Sequence, residues 1–99
     1  MDDYEIIKRC ATKIGLSYQF NTKYAEYPNT VCLYDEHTRL WNIVYNPLWN
    51  NQQAMELLIK FKKSDSMKKA INVWMDGNDD DLNRVISECV ANLSSVYYD

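Results

Sequence analysis

Apolar residues recur with helical period at Ile6, Ile7, Cys10, Ala11 and Ile14, preceded by Asp2-Asp3 and followed by Gly15. Aspartate caps the free N–H groups of a helix start and suits its positive dipole end, and glycine is a natural stop. The pattern predicts a first helix between them. Ser17 to Asn21 alternates, with Tyr18 and Phe20 on one face, and reads as a half-exposed strand. Lys23 to Thr30 is a polar loop containing Tyr24, Tyr27 and Pro28-Asn29. Val31–Tyr34 and Leu40–Tyr45 flank a polar turn at Asp35 to Thr38, which predicts a hairpin. Leu40, Trp41, Ile43, Val44 and Tyr45 are interrupted only by Asn42, and such a run implies a sheet covered on both faces.

Beyond the hairpin, Asn46-Pro47 ends the strand and Asn50 or Asn51 caps a second helix with Ala54, Leu57, Leu58 and Phe61 inward. Lys62 to Lys69 reads as a charged linker. Ala70 to Met75 reads as a fourth strand, with Ile71, Val73 and Met75 on one face and Ala70 and Trp74 on the other. Asp76-Gly77-Asn78 then turns and Asp79 to Asp81 cap a last helix carrying Leu82, Val85, Ile86, Cys89, Val90, Leu93 and Val96. The order α-β-β-β-α-β-α predicts one α+β domain over residues 1–99, an α-β-α sandwich of about four strands in one sheet with three helices.

Composition narrows the function classes. Ninety-nine residues, 46% hydrophobic and 25% charged, suit a single domain with one core. The net charge of −3 and pI near 5.0 speak against a general nucleic-acid binder, which needs a basic face. The charge is nevertheless segregated. Residues 56–69, with Lys60, Lys62, Lys63, Lys68 and Lys69, carry +3, whereas residues 76–99, with Asp76, Asp79, Asp80, Asp81, Glu88 and Asp99, carry −5. The three cysteines, Cys10, Cys32 and Cys89, are widely spaced without a CxxC, which suits a reducing compartment and small buried side chains. Met1-Asp2-Asp3 has the wrong charge for a signal peptide, and no apolar run approaches a membrane span, so a soluble cytosolic protein is expected.

Catalytic chemistry finds little to work with. The sole histidine, His37, falls in the hairpin turn, where an imidazole is ordinarily solvated. Cys10 and Cys89 fall on inward helix faces, away from any site edge. Gly15 and Gly77 are the only glycines, so no phosphate-cradling loop exists, and zinc-ligand spacing is absent. A calcium loop starting at Asp76 meets Asp81 where glycine is needed and Ser87 where glutamate is needed. The arrangement predicts no enzyme and no cofactor. The order α-β-β-β-α also suggests a double-stranded-RNA module, but its second helix starts Asn50-Asn51-Gln52-Gln53, without the lysines that would meet phosphates. Aromatic residues placed on loops are a better signal, because Tyr and Trp anchor protein interfaces at low entropic cost. Tyr24, Tyr27 and Trp49, with Asp76, Asp79, Asp80 and Asp81 as an acidic contact surface, are the candidate partner-binding residues.

The stretch Tyr45-Asn46-Pro47-Leu48-Trp49-Asn50-Asn51-Gln52-Gln53-Ala54-Met55-Glu56-Leu57 resembles the signature of small phage proteins with the phage ABA (α-β-α) sandwich domain. That signature runs Trp-Asn-Pro-Leu, an Asp pair after one residue, then Ala and Leu. Asn46, Pro47, Leu48, Ala54 and Leu57 match, Tyr45 replaces the Trp, and Asn50-Asn51 replace the acidic pair. Asn83-Arg84-Val85-Ile86 is more loosely similar. The resemblance implies a phage or prophage origin, the cytoplasm of a bacterial host, a three-layer sandwich, and no catalytic residues. Small acidic phage products without chemistry often resemble inhibitors of bacterial defence, including anti-CRISPR proteins. The expectation is therefore an accessory protein that binds a host protein, for instance a nucleic-acid-binding defence component, by occlusion. It would touch neither nucleic acid nor membrane directly and would be a monomer or homodimer. The alternative is a structural or self-assembling phage module.

Overall fold

The computed structural model describes residues 1–20, 31–77 and 81–93. The chain forms α1 (Asp3–Lys13), β1 (Tyr18–Phe20), β2 (Val31–Asp35), β3 (Leu40–Tyr45), α2 (Asn51–Phe61), α3 (Asp65–Met75) and α4 (Leu82–Ala91). The first helix follows its pattern closely. Asp2 accepts the Glu5 N–H at 2.8 Å, and Gly15, at φ 76°, closes a Schellman cap in which Leu16 N–H donates to Ala11 O and Gly15 N–H to Thr12 O. The three strands form one antiparallel sheet in the order β1-β2-β3, with Tyr18 opposite Leu33 and Val31 opposite Tyr45. The register shifts between Leu33 and Tyr34, where Asn42 is the extra residue on β3.

The fourth strand expected at Ala70 to Met75 is a helix, so the described residues form four helices and three strands. Ser64 caps α3, its hydroxyl accepting the Met67 N–H, and Asp65 lies in the first turn. Met67, Ile71 and Trp74 then face inward at helical spacing, while Val73 and Met75 are 51% and 68% exposed. The expected linker at Lys62 to Lys69 therefore holds the cap and first turns of this helix. The expected loop at Lys23 to Thr30 and the end of the last helix at Val96 lie outside the described residues.

All four helices share one core. Ile6, Ile7, Cys10 and Ala11 of α1, Leu57 and Phe61 of α2, Met67 of α3, and Ile86, Val90 and Ala91 of α4 meet Val31 and Tyr45 of the sheet, with Tyr18 and Leu33 packed against them. Cys32, Tyr34, Trp41 and Val44, on the other sheet face, stand outside that core. The described residues thus bring every helix to one face, where two helical layers were expected. The apolar run of β3 misled because Leu40 and Ile43, 52% and 41% exposed, are simply left in water. Helix α4 is the hub: it packs against α1, α2 and α3 alike, and none of its residues is fully exposed.

Candidate functional site

Side-chain bonds fix how the helices run. Arg84 of α4 pairs with Asp3 of α1 at 2.7 Å, and the Cys10 thiol donates to Ser87 O farther along both helices. The Lys13 ammonium donates to Leu93 O at the far end, so α1 and α4 are parallel. The Asn83 side-chain amide donates to Asn51 Oδ1 at 2.7 Å, which sets the start of α2 beside the start of α4. Three N-caps, Asp2, Asn50 and Asp81, consequently gather at one end of the molecule. Asp76, the C-cap of α3, stands five residues before Asp81 in the sequence. Lys60, Lys62, Lys63, Lys68 and Lys69 are exposed at the opposite end, about 16 Å away along the eleven residues of α2. No ion pair among the described residues involves these lysines. Among the described residues, Asp81 and the lysine cluster are thus separated in space.

At the acidic end the chain passes from β3 into α2 through a turn whose backbone N–H groups are all engaged. Asn46, 6% exposed, donates its N–H to Gln53 Oε1 at 2.7 Å and accepts the Leu48 N–H at its own Oδ1. Its carbonyl accepts from both Trp49 and Asn50. Gln53 completes the lock by donating Nε2–H to Val44 O at 3.0 Å, so its carboxamide sits on the edge of β3 as a residue of an added strand would. Asn50 Oδ1 accepts the Gln53 N–H and caps α2. Pro47 is fully buried behind the turn. The outcome is a rigid platform that holds Trp49 58% exposed beside a groove of about 310 Å3, lined by Val44, Asn46, Trp49, Asn50 and Gln53.

Of the residues singled out in the sequence, the structure brings Trp49 and Asp81 to the same end of the domain through the Asn51–Asn83 bond. Asp76 is exposed, and Asp81 spends one carboxylate oxygen on the Asn83 N–H at 3.1 Å. Tyr24, Tyr27, Asp79 and Asp80 lie outside the described residues. The sequence reading missed Gln53 and Asn46. The signal available for Asn46 was its place before Pro47, which bars a helical backbone there; Gln53 carried none beyond its amide.

Burial, with the Cys89 thiol nearby, pushes the Cys10 thiol up to about 12, and burial raises Cys89 as well, so both stay protonated and poorly nucleophilic at neutral pH. Burial likewise raises the Tyr45 phenol, helped by Cys10 and Glu56. His37 is exposed in its turn, with its backbone N–H on Asp35 Oδ1. Among the described residues no group of three or more metal-binding side chains comes together, and no helix is long and apolar enough to cross a membrane. Set against known protein families, curated proteins and solved structures, the chain matches none.

Proposed function

We propose that this chain is a non-enzymatic accessory protein that binds a basic, nucleic-acid-binding host protein through its acidic end and occludes it, in the manner of an inhibitor of bacterial antiviral defence. The observation that carries this reading is Trp49, a large apolar ring held out to solvent by a turn that cannot easily fold it away. Rigid exposed aromatics are economical interface anchors because little entropy remains to be lost on binding. Asp76 and Asp81 would complement a basic groove and speed encounter. Phage or prophage origin and residence in a bacterial cytoplasm belong to the same proposal and rest on the resemblance of the Asn46-Pro47-Leu48 stretch to phage sandwich proteins.

The test is affinity capture from a bacterial lysate with the wild type, Trp49→Ala and the double variant Asp76→Asn/Asp81→Asn as baits. Asn at position 81 retains capping ability, so charge alone changes. The expected partner is a nucleic-acid-binding protein whose affinity falls with added salt and drops about tenfold or more with Trp49→Ala. A partner indifferent to salt and to both variants would remove the proposal. A second reading, self-assembly, is favoured by Met55 and Ile59, one turn apart on α2 and both exposed. Light scattering over a dilution series separates it: a mass that stays monomeric at high micromolar concentration eliminates it.

A further inference from the structure

The groove beside Trp49 has a specific lining. Three carboxamides, those of Asn46, Asn50 and Gln53, border it with the indole and Val44, and none of the described residues that line it is charged. Each carboxamide has its orientation set by the backbone. Asn46 Oδ1 accepts from Leu48, Asn50 Oδ1 from Gln53, and Gln53 Oε1 from Asn46, so none is free to flip and offer its NH2 in place of its oxygen. An amide oxygen has two lone pairs, and the bonds among the described residues use one on each of these. Among the described residues Asp81 lies across the Asn51–Asn83 bond, and the Arg84 guanidinium on the same helix start is matched by Asp3 and Glu88.

We propose that this groove receives an arginine side chain of the partner, its guanidinium stacked on the Trp49 indole and its N–H groups directed to the Asn46, Asn50 and Gln53 oxygens. The inference deepens the proposed function and rests on it for the identity of the partner, though not for the chemistry of the groove. Guanidinium is planar, donates five N–H groups and accepts none, and it stacks on aromatic faces; an ammonium lacks the plane, and a neutral urea lacks the charge. The stem of three methylenes would lie along Val44, as arginine stems commonly do on apolar surface.

The experiment is a titration of the 15N-labelled full chain with capped Gly-Arg-Gly, Gly-Lys-Gly and Gly-citrulline-Gly peptides, following the Trp49 indole N–H and the Gln53 side-chain amide. Saturable shifts confined to the groove residues are expected with the arginine peptide, and binding roughly fivefold weaker with lysine and citrulline. Trp49→Ala should abolish the shifts and Trp49→Phe should weaken them, with the amides of the helical core unchanged because Trp49 stands outside that core. Equal response to citrulline, shifts spread over the lysine-rich end, or no response at all would overturn the inference. If the peptides fail while a captured partner still depends on Trp49, the groove assignment falls and the proposed function stands. If arginine binds selectively but no partner is captured, the reverse holds.

Discussion

The two ends of β3 are built on opposite plans. At the Tyr45 end the strand is pinned: Tyr45 is 2% exposed, it abuts Cys10 of α1, and its neighbours are tied to α2 by Gln53. At the Leu40 end the strand emerges from a turn in which Arg39 adopts φ 57°, and Leu40, Ile43 and Tyr34 face water. Both ends expose aromatic or aliphatic surface, yet only one exposes it from a turn whose backbone N–H groups are all bonded. The Tyr34 and Trp41 rings, 5.3 Å apart edge to face, satisfy one another and leave little to offer a partner. Trp49 stands on the pinned end. Exposure alone, then, does not nominate an anchor; exposure over a fixed support does.

The comparison can be broken most forcefully by alkali. Cys10 and Tyr45 at the pinned end have raised values in the folded state, so folding favours their protonated forms. Stability from these groups is complete below the ordinary thiol value of 9.0 and declines as pH climbs from there towards about 12. The loss from Cys10 alone is on the order of 4 kcal/mol across that range, read as a falling urea midpoint. A Cys10→Ala variant should be less stable at pH 7 but show a flatter decline; an unchanged slope would mean the thiol is not held in a dry environment.

Next in size is Gln53→Ala, which leaves Val44 O and the Asn46 N–H without their side-chain partner and should cost about 2 kcal/mol in urea unfolding. Trp49 should gain mobility in the same variant, visible as lower 15N heteronuclear enhancement at its backbone amide. A cost below about 0.5 kcal/mol would show the turn to be held without the lock. The smallest effect has the opposite sign. Arg39→Gly relieves a left-handed backbone at the loose end and should stabilise by about 0.5 kcal/mol. Destabilisation there would mean that the side chain, not the backbone, governs the hairpin.

Much of this was legible in the residues. Asp2, Gly15, Asn50 and Asp81 act as the helix boundaries their types suggest, and Trp49 is as exposed as a loop aromatic should be. The error at Ala70 to Met75 has a local cause: Ile71, Val73 and Met75 alternate like a strand, while Met67, Ile71 and Trp74 repeat like a helix, and the same Ile71 serves both patterns. The Ser64 cap decided between them, three residues before the first buried position. The groove was not legible at all, because Gln53 matters only once β3 and α2 have been folded alongside each other. Likewise the acidic end arises from three helix starts that the sequence keeps some thirty to fifty residues apart.

Helix α4, around which the other three are arranged, is also the last of them to be synthesised. On a ribosome adding residues one by one, α1, the hairpin, α2 and α3 must all appear with their apolar stripes open before Leu82–Ala91 arrives to fill the space between them. The contacts that close the core therefore join α1 to α4, far apart in sequence, and folding must wait for translation to deliver the second of them. A nascent chain stalled short of Leu82 should be a client for chaperones, and the chain carrying α4 should not.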